Sequence, residues 1–336
     1  MIISRTPFRI SFLGGGTDYP AWFQKHGGAV LATSIDKYCY ISCRHLPPFF
    51  EYKHKISYSK IEYTPSITDI KHPAIKTTLE FMKIKKGLEI NYQADLPARA
   101  GLGTSSSFTV GLLHTLQGLQ GKMISKKQLA SDAIHVEQNL IKENVGSQDQ
   151  ITTAYGGLNK VEFHQNGDFQ VKPLPISYDK RKRLEEHLML FFTGFTRIAS
   201  DIAQEQIKKT PDRKKQLTRM YTMVDEGLDI LNDKDDDLTA FGRLLHEAWA
   251  YKRSLTNRIS NSELDTIYEK ARTAGAIGGK LLGAGGGGFM LFFVEPEKQK
   301  KVKSTLKHLL HVPFHFETEG SSIIYYSDKL DEEMIG

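Results

Sequence analysis

The chain has 336 residues, 40% of them hydrophobic and 25% charged, with a formal net charge of +6 at pH 7. That is ordinary for a soluble globular protein with a real core and room for two modest domains. No apolar run approaches the roughly 18 residues of a membrane span, and "MIISRTPFRISFLGGG" lacks the order of charge, apolar core and cleavage site that marks a secretory signal.

The expected compartment is therefore the cytoplasm, with no membrane partner. The two cysteines, Cys39 and Cys43 in "CYISC", would lie about 13 Å apart along one face of a regular strand, too far to bridge. Reduced, small and half-buried side chains are expected there. A mildly basic balance suits an enzyme of phosphorylated substrates or a nucleic-acid binder. The basic clusters "KKTPDRKK" (208–215) and "KQKKVK" (298–303) sit in helix-like segments without interleaved aromatics to stack bases. Nucleic acid is not the favoured partner.

In chain order, Phe8, Ile10 and Phe12 alternate with Arg9, Ser11 and Leu13, which predicts a strand with Arg9 pointing away from the Phe8 face. "GGGTD" ends it, and "YPAWFQKHGG" predicts a short helix closed by glycine. "YCYISC" predicts a strand, the Pro-containing stretch 45–75 gives no clear signal, and "LEINYQA" (88–94) predicts another strand. Phe108, Leu112, Leu116 and Leu119 at helical spacing place a helix start close to Thr104 or Ser105. Ser125 and Gln128 form a capping-box pattern for a helix to about Asn144. "VEFHQNGDFQV" predicts a hairpin around Asn166-Gly167, and "HLMLFF" a buried strand. Residues 198–274 read as several amphipathic helices, one with the stripe Leu238, Phe241, Leu245, Ala248 and Trp249. "FMLFFV" (289–294), a lysine-rich helix (296–310) and a final "SSIIYY" strand complete an α+β second half. The expected domains are 1–178 and 179–336.

The segment "LPARAGLGTSSSFTVGLL" (96–113) raises the first chemical question. Gly101 and Gly103 allow a sharp turn and a close ligand approach, and the helix that follows aims free N–H groups and a positive dipole end at the same place. Ser105, Ser106 and Ser107 add hydroxyls able to bond phosphate or ligate magnesium. This is a ready anion site; the alternative is a hydroxyl N-cap with glycines for loop geometry. No GxxxxGK[ST] occurs. The later "KLLGAGGGGFMLFF" contains GxGxxG at Gly283, Gly285 and Gly288, but a helix-like segment precedes it and a strand-like one follows, the wrong context for a dinucleotide fingerprint.

On a wheel of helix 125–144, Glu137 falls inside the apolar arc of Leu129, Ala133, Val136 and Leu140. A carboxylate there needs a cation or several donors; magnesium is one such partner, and a salt-bridged Glu at the core margin is the alternative. In "NVGSQDQITTAYGG", Asp149 stands where a short helix would begin. It is either an N-cap or a carboxylate that orients a substrate hydroxyl for phosphoryl transfer, with Arg9 as charge partner. Asp18 would cap the next helix or hold sugar hydroxyls.

"TPFRISFLGGGTDY", "LPARAGLGTSSS", "GSQDQ" and "KLLGAGGGGF", in this order, resemble the three motifs and the catalytic segment of the GHMP small-molecule kinases. The resemblance covers positions 5–290. It implies an α+β, two-domain architecture: an N-terminal domain like the second domain of a ribosomal small-subunit protein, a ferredoxin-like C-terminal domain, and ATP with magnesium between them. By position it implies that Gly101, Leu102, Gly103, Thr104, Ser105, Ser106 and Ser107 form the ATP phosphate loop, and that Ser105 and Glu137 are magnesium ligands. Asp149 would be the catalytic aspartate, Arg9 the basic residue beside it, and Asp18, with Gly15, Gly16 and Thr17, part of the sugar site. Gly283 to Gly288, with Gly285 and Gly286 among them, would support the substrate and phosphate side of the cleft.

Galactokinases carry a Glu-His pair where Gly15 and Gly16 stand here, which argues against galactose. "LGGGTD", "VGSQDQ" and "FTGFTRIASDIAQEQ" (192–206) are instead similar to heptose 7-phosphate kinases and to the kinase part of fucokinases. The implied reaction is transfer of the ATP γ-phosphoryl group to the anomeric hydroxyl of D-glycero-D-manno-heptose 7-phosphate, giving the 1,7-bisphosphate for a nucleotide-activated heptose of surface glycans. The rivals are a kinase of a free sugar such as fucose, and a catalytically silent sugar- and ATP-binding regulator. Arg197, after a strand end in "TGFTR", is a candidate substrate contact or a surface salt bridge. A homodimer is left open.

Overall fold

A computed structural model describes residues 1–98, 100–194, 199–233 and 237–327. Alternation around Phe8 becomes β1 (Ile2–Leu13); α1 (Pro20–His26) follows the glycine turn and is closed by Gly27 at φ +69°. β2 (Gly28–His45) is longer than "YCYISC" foretold and runs antiparallel to β1, with register shifts between Pro7 and Phe8 and between Ser11 and Leu13. The stretch without a clear signal holds the hairpin β3 (His54–Ser57) and β4 (Ile61–Thr64), then the start of α2 (Pro73–Phe81). β5 (Leu88–Ala94) and α3 (Thr104–Leu119) begin where expected.

The helix foreseen over 125–144 is shorter and not regular. Ser125 Oγ accepts from the Gln128 amide at 3.1 Å and opens α4 (Lys126–Ile134), which passes into a π turn over His135–Leu140. There the Ile141 N–H reaches Val136 O, five residues back, so side chains beyond 135 are rotated from the ideal 100° wheel. Next come α5 (Gln148–Tyr155) and the foreseen hairpin of β6 (Leu158–Phe163) and β7 (Phe169–Pro173).

The second half comprises α6 (Tyr178–Glu186), β8 (Leu188–Phe192), α7 (Ala199–Lys209), α8 (Lys214–Asn232), α9 (Thr239–Ser254) and α10 (Ser262–Ala274). β9 (Gly278–Leu281), β10 (Phe289–Phe293), α11 (Pro296–Thr305), β11 (Leu310–His311), β12 (Phe316–Glu317) and β13 (Ser322–Tyr326) follow. The late glycine run is thus preceded directly by a strand, β9, where a helix-like segment was expected. A strand–turn–strand is equally foreign to a dinucleotide fingerprint.

Among the described residues there are two sheets. The larger has the order β13-β1-β2-β5-β3-β4, with β12 and β6 also on β2 and β7 on β6; the smaller has the order β11-β8-β10-β9, antiparallel throughout. Numbered by sequence within the small sheet this is 4-1-3-2, with helices after the first and third strands: the ferredoxin-like arrangement. β12 and β13 lie beyond 178 in sequence yet pair with β2 and β1, so the chain returns to the large sheet after building the small one. One hydrophobic core joins both: Phe8, Ile10 and Phe12 pack with Leu190, Leu291 and Phe293 of the small sheet and with Phe241 and Leu245 of α9. The two sheets therefore pack on one another through this shared core. Cys39 and Cys43 form no disulfide and are fully buried, where half-buried side chains were expected. No helix among the described residues is long and apolar enough to cross a membrane.

Candidate active site

Arg9 is the hub. β1 alternation turns it off the Phe8 core face, where it is buried between α3 and α5. Its Nε donates to Asp149 Oδ1 and its Nη2 to Oδ2, each at 2.7 Å, while Nη1 donates to the Gly101 carbonyl at 2.7 Å. The Arg9 backbone N–H also donates to Leu102 O at 3.0 Å. A planar fork of this kind fixes a carboxylate in orientation as well as distance. The Arg9 side chain is 3% exposed and that of Asp149 is 24%, so the aspartate is the member that meets the cleft.

The phosphate-loop segment is held by the same hub. Gly101 (φ +84°) and Gly103 (φ +71°) are left-handed, and a Cβ on Gly101 would stand 2.4 Å from Leu282 O. Gly103 is the N-cap of α3, with no side-chain cap and no acidic residue in the first turn. The hydroxyl N-cap alternative is thereby removed, and the helix end places free backbone N–H groups and its positive pole beside Asp149. The serines divide the work differently from expectation. Ser107 Oγ donates to Pro7 O at 3.0 Å, which directs it into the fold, and Ser106 Oγ donates to Glu137 Oε2 at 2.8 Å. Ser105 is exposed. Ser106, and not Ser105, is therefore the serine hydrogen-bonded to Glu137, because consecutive helical residues point about 100° apart.

Glu137 is 1% exposed and sits on the π turn. Gln150 donates to its Oε2 as well, and its Oε1 has no hydrogen-bond partner. Burial pushes the carboxyl up to about 7, against the lowering effect of the Ser106 and Gln150 donors. A buried carboxylate with a bare oxygen beside a phosphate cradle fits a divalent cation. No cluster of three or more His, Cys, Asp or Glu exists among the described residues, so magnesium here would draw on Glu137, a serine hydroxyl, nucleotide oxygens and water.

Asp18 is buried, and Gly16 N–H donates to its Oδ1 at 2.8 Å. It closes the glycine turn rather than capping α1, whose N-cap is Tyr19. Burial raises its carboxyl, with Asp149 adding to the rise and Lys252 opposing it. Ser147 N–H donates to Asp18 O, and a Cβ on Gly146 would stand 1.8 Å from Asp18 Oδ2; the glycine of "GSQDQ" is what lets Asp149 and Asp18 approach. Thr17 differs from expectation: its fully buried hydroxyl donates to Gly14 O and Ala29 O, each at 2.8 Å, and shapes the turn from within.

The late glycines pack on the phosphate loop. A Cβ on Gly283 would stand 2.6 Å from Gly101 Cα, and one on Gly288 2.3 Å from Ala100 O. Gly285 and Gly286 instead face the Ile259 backbone, where Gly286 N–H donates to Ile259 O. Arg197 lies outside the described residues.

Two lysines escaped sequence reasoning. Lys280 Nζ donates to Ser11 O (2.8 Å) and Phe12 O (2.9 Å), tying β9 to the end of β1. Burial, then Lys252 and Arg9, lower it to about 7. Lys252 is buried on α9, and burial lowers it to about 8. A signal existed for it: it continues the stripe of Leu245, Ala248 and Trp249, the same kind of intrusion into an apolar face that singled out Glu137.

A carboxylate locked by arginine beside a glycine-lined helix N-terminus, between a split sheet and a ferredoxin-like unit, defines a small-molecule kinase. Models of the GHMP kinases N-terminal domain and of the GHMP kinases C-terminal region match residues 70–157 and 229–311. The chain belongs to the GHMP kinases. It is 30% identical to a D-glycero-alpha-D-manno-heptose 7-phosphate kinase of Campylobacter jejuni, over 95% of this chain and 97% of that one. It is 27% identical, over 94% of its length, to a bifunctional fucokinase/GDP-fucose pyrophosphorylase of Arabidopsis thaliana, of which it spans 32%. A solved D-glycero-D-manno-heptose 1-phosphate kinase from Bacteriodes thetaiotaomicron superposes with a TM-score of 0.77 at 25% identity, covering 98% of this chain and 100% of that one.

Proposed function

We propose that the protein transfers the γ-phosphoryl group of ATP to the anomeric hydroxyl of D-glycero-D-manno-heptose 7-phosphate, giving the 1,7-bisphosphate and ADP in the cytoplasm, as a step toward a nucleotide-activated heptose. The observation that carries the kinase reading is the Arg9–Asp149 fork set against the Gly101–Gly103 turn. Support for this acceptor comes from the heptose 7-phosphate kinase among its relatives; the solved heptose 1-phosphate kinase supports a heptose phosphate but not the position phosphorylated.

Backbone N–H groups at the start of α3 hold the phosphates. Glu137 and a serine hydroxyl of the first turn of α3, Ser105 or Ser106, would hold magnesium, which would neutralise phosphate charge. Asp149 accepts a hydrogen bond from the acceptor hydroxyl and aims its oxygen at the γ-phosphorus. As that P–O bond forms, the bond to the ADP oxygen breaks, and the hydroxyl proton passes to Asp149 late in the step. A carboxylate is a weak base toward an alcohol, and a loose transition state does not require earlier removal of the proton. Asp18 lies where acceptor hydroxyls would bind.

The test is ADP release with ATP and magnesium across mannose, fucose, galactose, sedoheptulose 7-phosphate and D-glycero-D-manno-heptose 7-phosphate. Strong preference for the last is expected. Turnover of fucose alone would favour the second reading, to which the fucokinase relative points. ATP binding with silence across the panel would favour a regulator.

A further inference from the structure

Beside Asp18, several buried polar groups have no part in the chemistry above. Lys252, on α9, is 6% exposed, and its Nζ donates to Gln206 Oε1 at 3.1 Å. That is its one protein acceptor among the described residues, and an ammonium carries three donors. Gln206, on α7, is 2% exposed, and its Nε2 is buried without a partner. Ser11 Oγ, near the end of β1, and Gln148 Oε1, at the start of α5, are likewise buried and unpartnered.

These groups converge on one place. A Cβ on Gly16 would stand 2.9 Å from Gln206 Nε2, and one on Gly15 would stand 3.6 Å from Ser11 Oγ and 3.7 Å from Gln148 Nε2. Four elements thus ring the Gly15–Gly16 peptide with unmet hydrogen-bonding capacity. A larger residue at either glycine would fill that space. Orphaned buried polar groups are rare and call for a partner, and convergent ones mark a polar ligand. Lys252 also feels both carboxylates of the cleft, Asp18 and Asp149, so it lies near the reacting end.

We propose that Lys252 is a substrate-contacting residue, donating to an acceptor oxygen next to the one that Asp149 orients. Gln206 holds its ammonium in place, and Gln148 and Ser11 complete a subsite for a polyhydroxylated acceptor. This rests on the sugar-kinase reading and extends it to residues outside the four motifs.

The test compares Lys252→Met and Gln206→Leu with the wild type for acceptor KM, ATP KM, kcat and melting temperature. Lys252→Met is expected to raise acceptor KM at least about tenfold, the scale of a lost charge-assisted hydrogen bond, with ATP KM within twofold. Gln206→Leu moves the same parameter by less. An unchanged acceptor KM, or equal rises for acceptor and ATP, overturns the assignment. Should Lys252→Met fail to fold, Gln206→Leu decides by the same criteria. A phosphorylated sugar and its unphosphorylated analogue separate the two sources of the oxygen: equal losses place the contact on a hydroxyl, and a loss confined to the former places it on phosphate. A wild type that turns over no sugar refutes the kinase reading and this inference with it; sugar turnover with an unmoved acceptor KM refutes this inference alone.

Discussion

Arg9 and Asp149 are 140 residues apart in sequence and meet through two parallel hydrogen bonds of 2.7 Å. The third arm of the same guanidinium holds Gly101 O. One side chain therefore sets the distance between the group proposed to orient the acceptor and the loop proposed to receive the nucleotide.

Asp149→Asn keeps the shape of that arrangement and removes the charge and the proton acceptor. kcat should fall by about 10²–10⁴-fold, while ATP binding measured by calorimetry stays within a few-fold. Unchanged turnover would remove Asp149 from the chemistry.

At Gly101 the positive φ and the nearby Leu282 carbonyl act together. Gly101→Ala should cost about 1–2 kcal/mol from the backbone alone, more with the overlap, and should raise ATP KM more than acceptor KM. A denaturant melt and a two-substrate kinetic grid check both. A neutral outcome would mean that the loop relaxes freely.

Glu137→Gln separates metal binding from folding. Without ligands, the variant replaces a buried acid by a neutral isostere and should melt no lower than the wild type. With ATP, the magnesium concentration for half-maximal activity should rise by at least the roughly 10–100-fold that even outer-sphere changes cost. A lower melting point with an unaltered magnesium requirement would assign Glu137 to the core alone.

Lys280 makes stability depend on alkaline pH. Its folded pKa of about 7 lies below the ordinary 10.5, so between these values the unfolded chain binds the extra proton and stability rises with pH. Below about 7 both states are protonated and the full burial penalty applies. Relative to Lys280→Met, the wild type should gain up to about 1.4 kcal/mol per pH unit in that window, read from urea melts at pH 7 to 9.5. A constant difference between the two proteins would show that Lys280 keeps its charge throughout.

Much of this was legible in one dimension. The β1 alternation foretold that Arg9 points off the Phe8 face, though not that it is buried there, and the Phe108 stripe located the start of α3. Glu137 stood out as an acid on an apolar arc. The rest depends on pairing or local geometry that periodicity does not carry. Ser106 rather than Ser105 meets Glu137 because of the direction of the first helical turn, and Glu137 itself is placed by a π turn that no 100° wheel contains. β13 read as a strand of the second half and β12 was not foreseen, since nothing local says which sheet a strand will join. Lys280 was quoted within a glycine motif, and only tertiary structure gives its Nζ the carbonyls of Ser11 and Phe12.

The pairing of β13 with β1 bears on how the molecule is made. Ile2 faces Tyr326 across the sheet, and the Met1 ammonium donates to Ser327 O at 2.6 Å. While the protein emerges from the ribosome, β1 can pair early with β2, but its other flank stays open until residues beyond 320 have been synthesised. Non-local strand pairing of this span is slow, and an open strand flank invites association. The strand that bears Arg9 therefore keeps one flank unpaired until the chain has been made past residue 320.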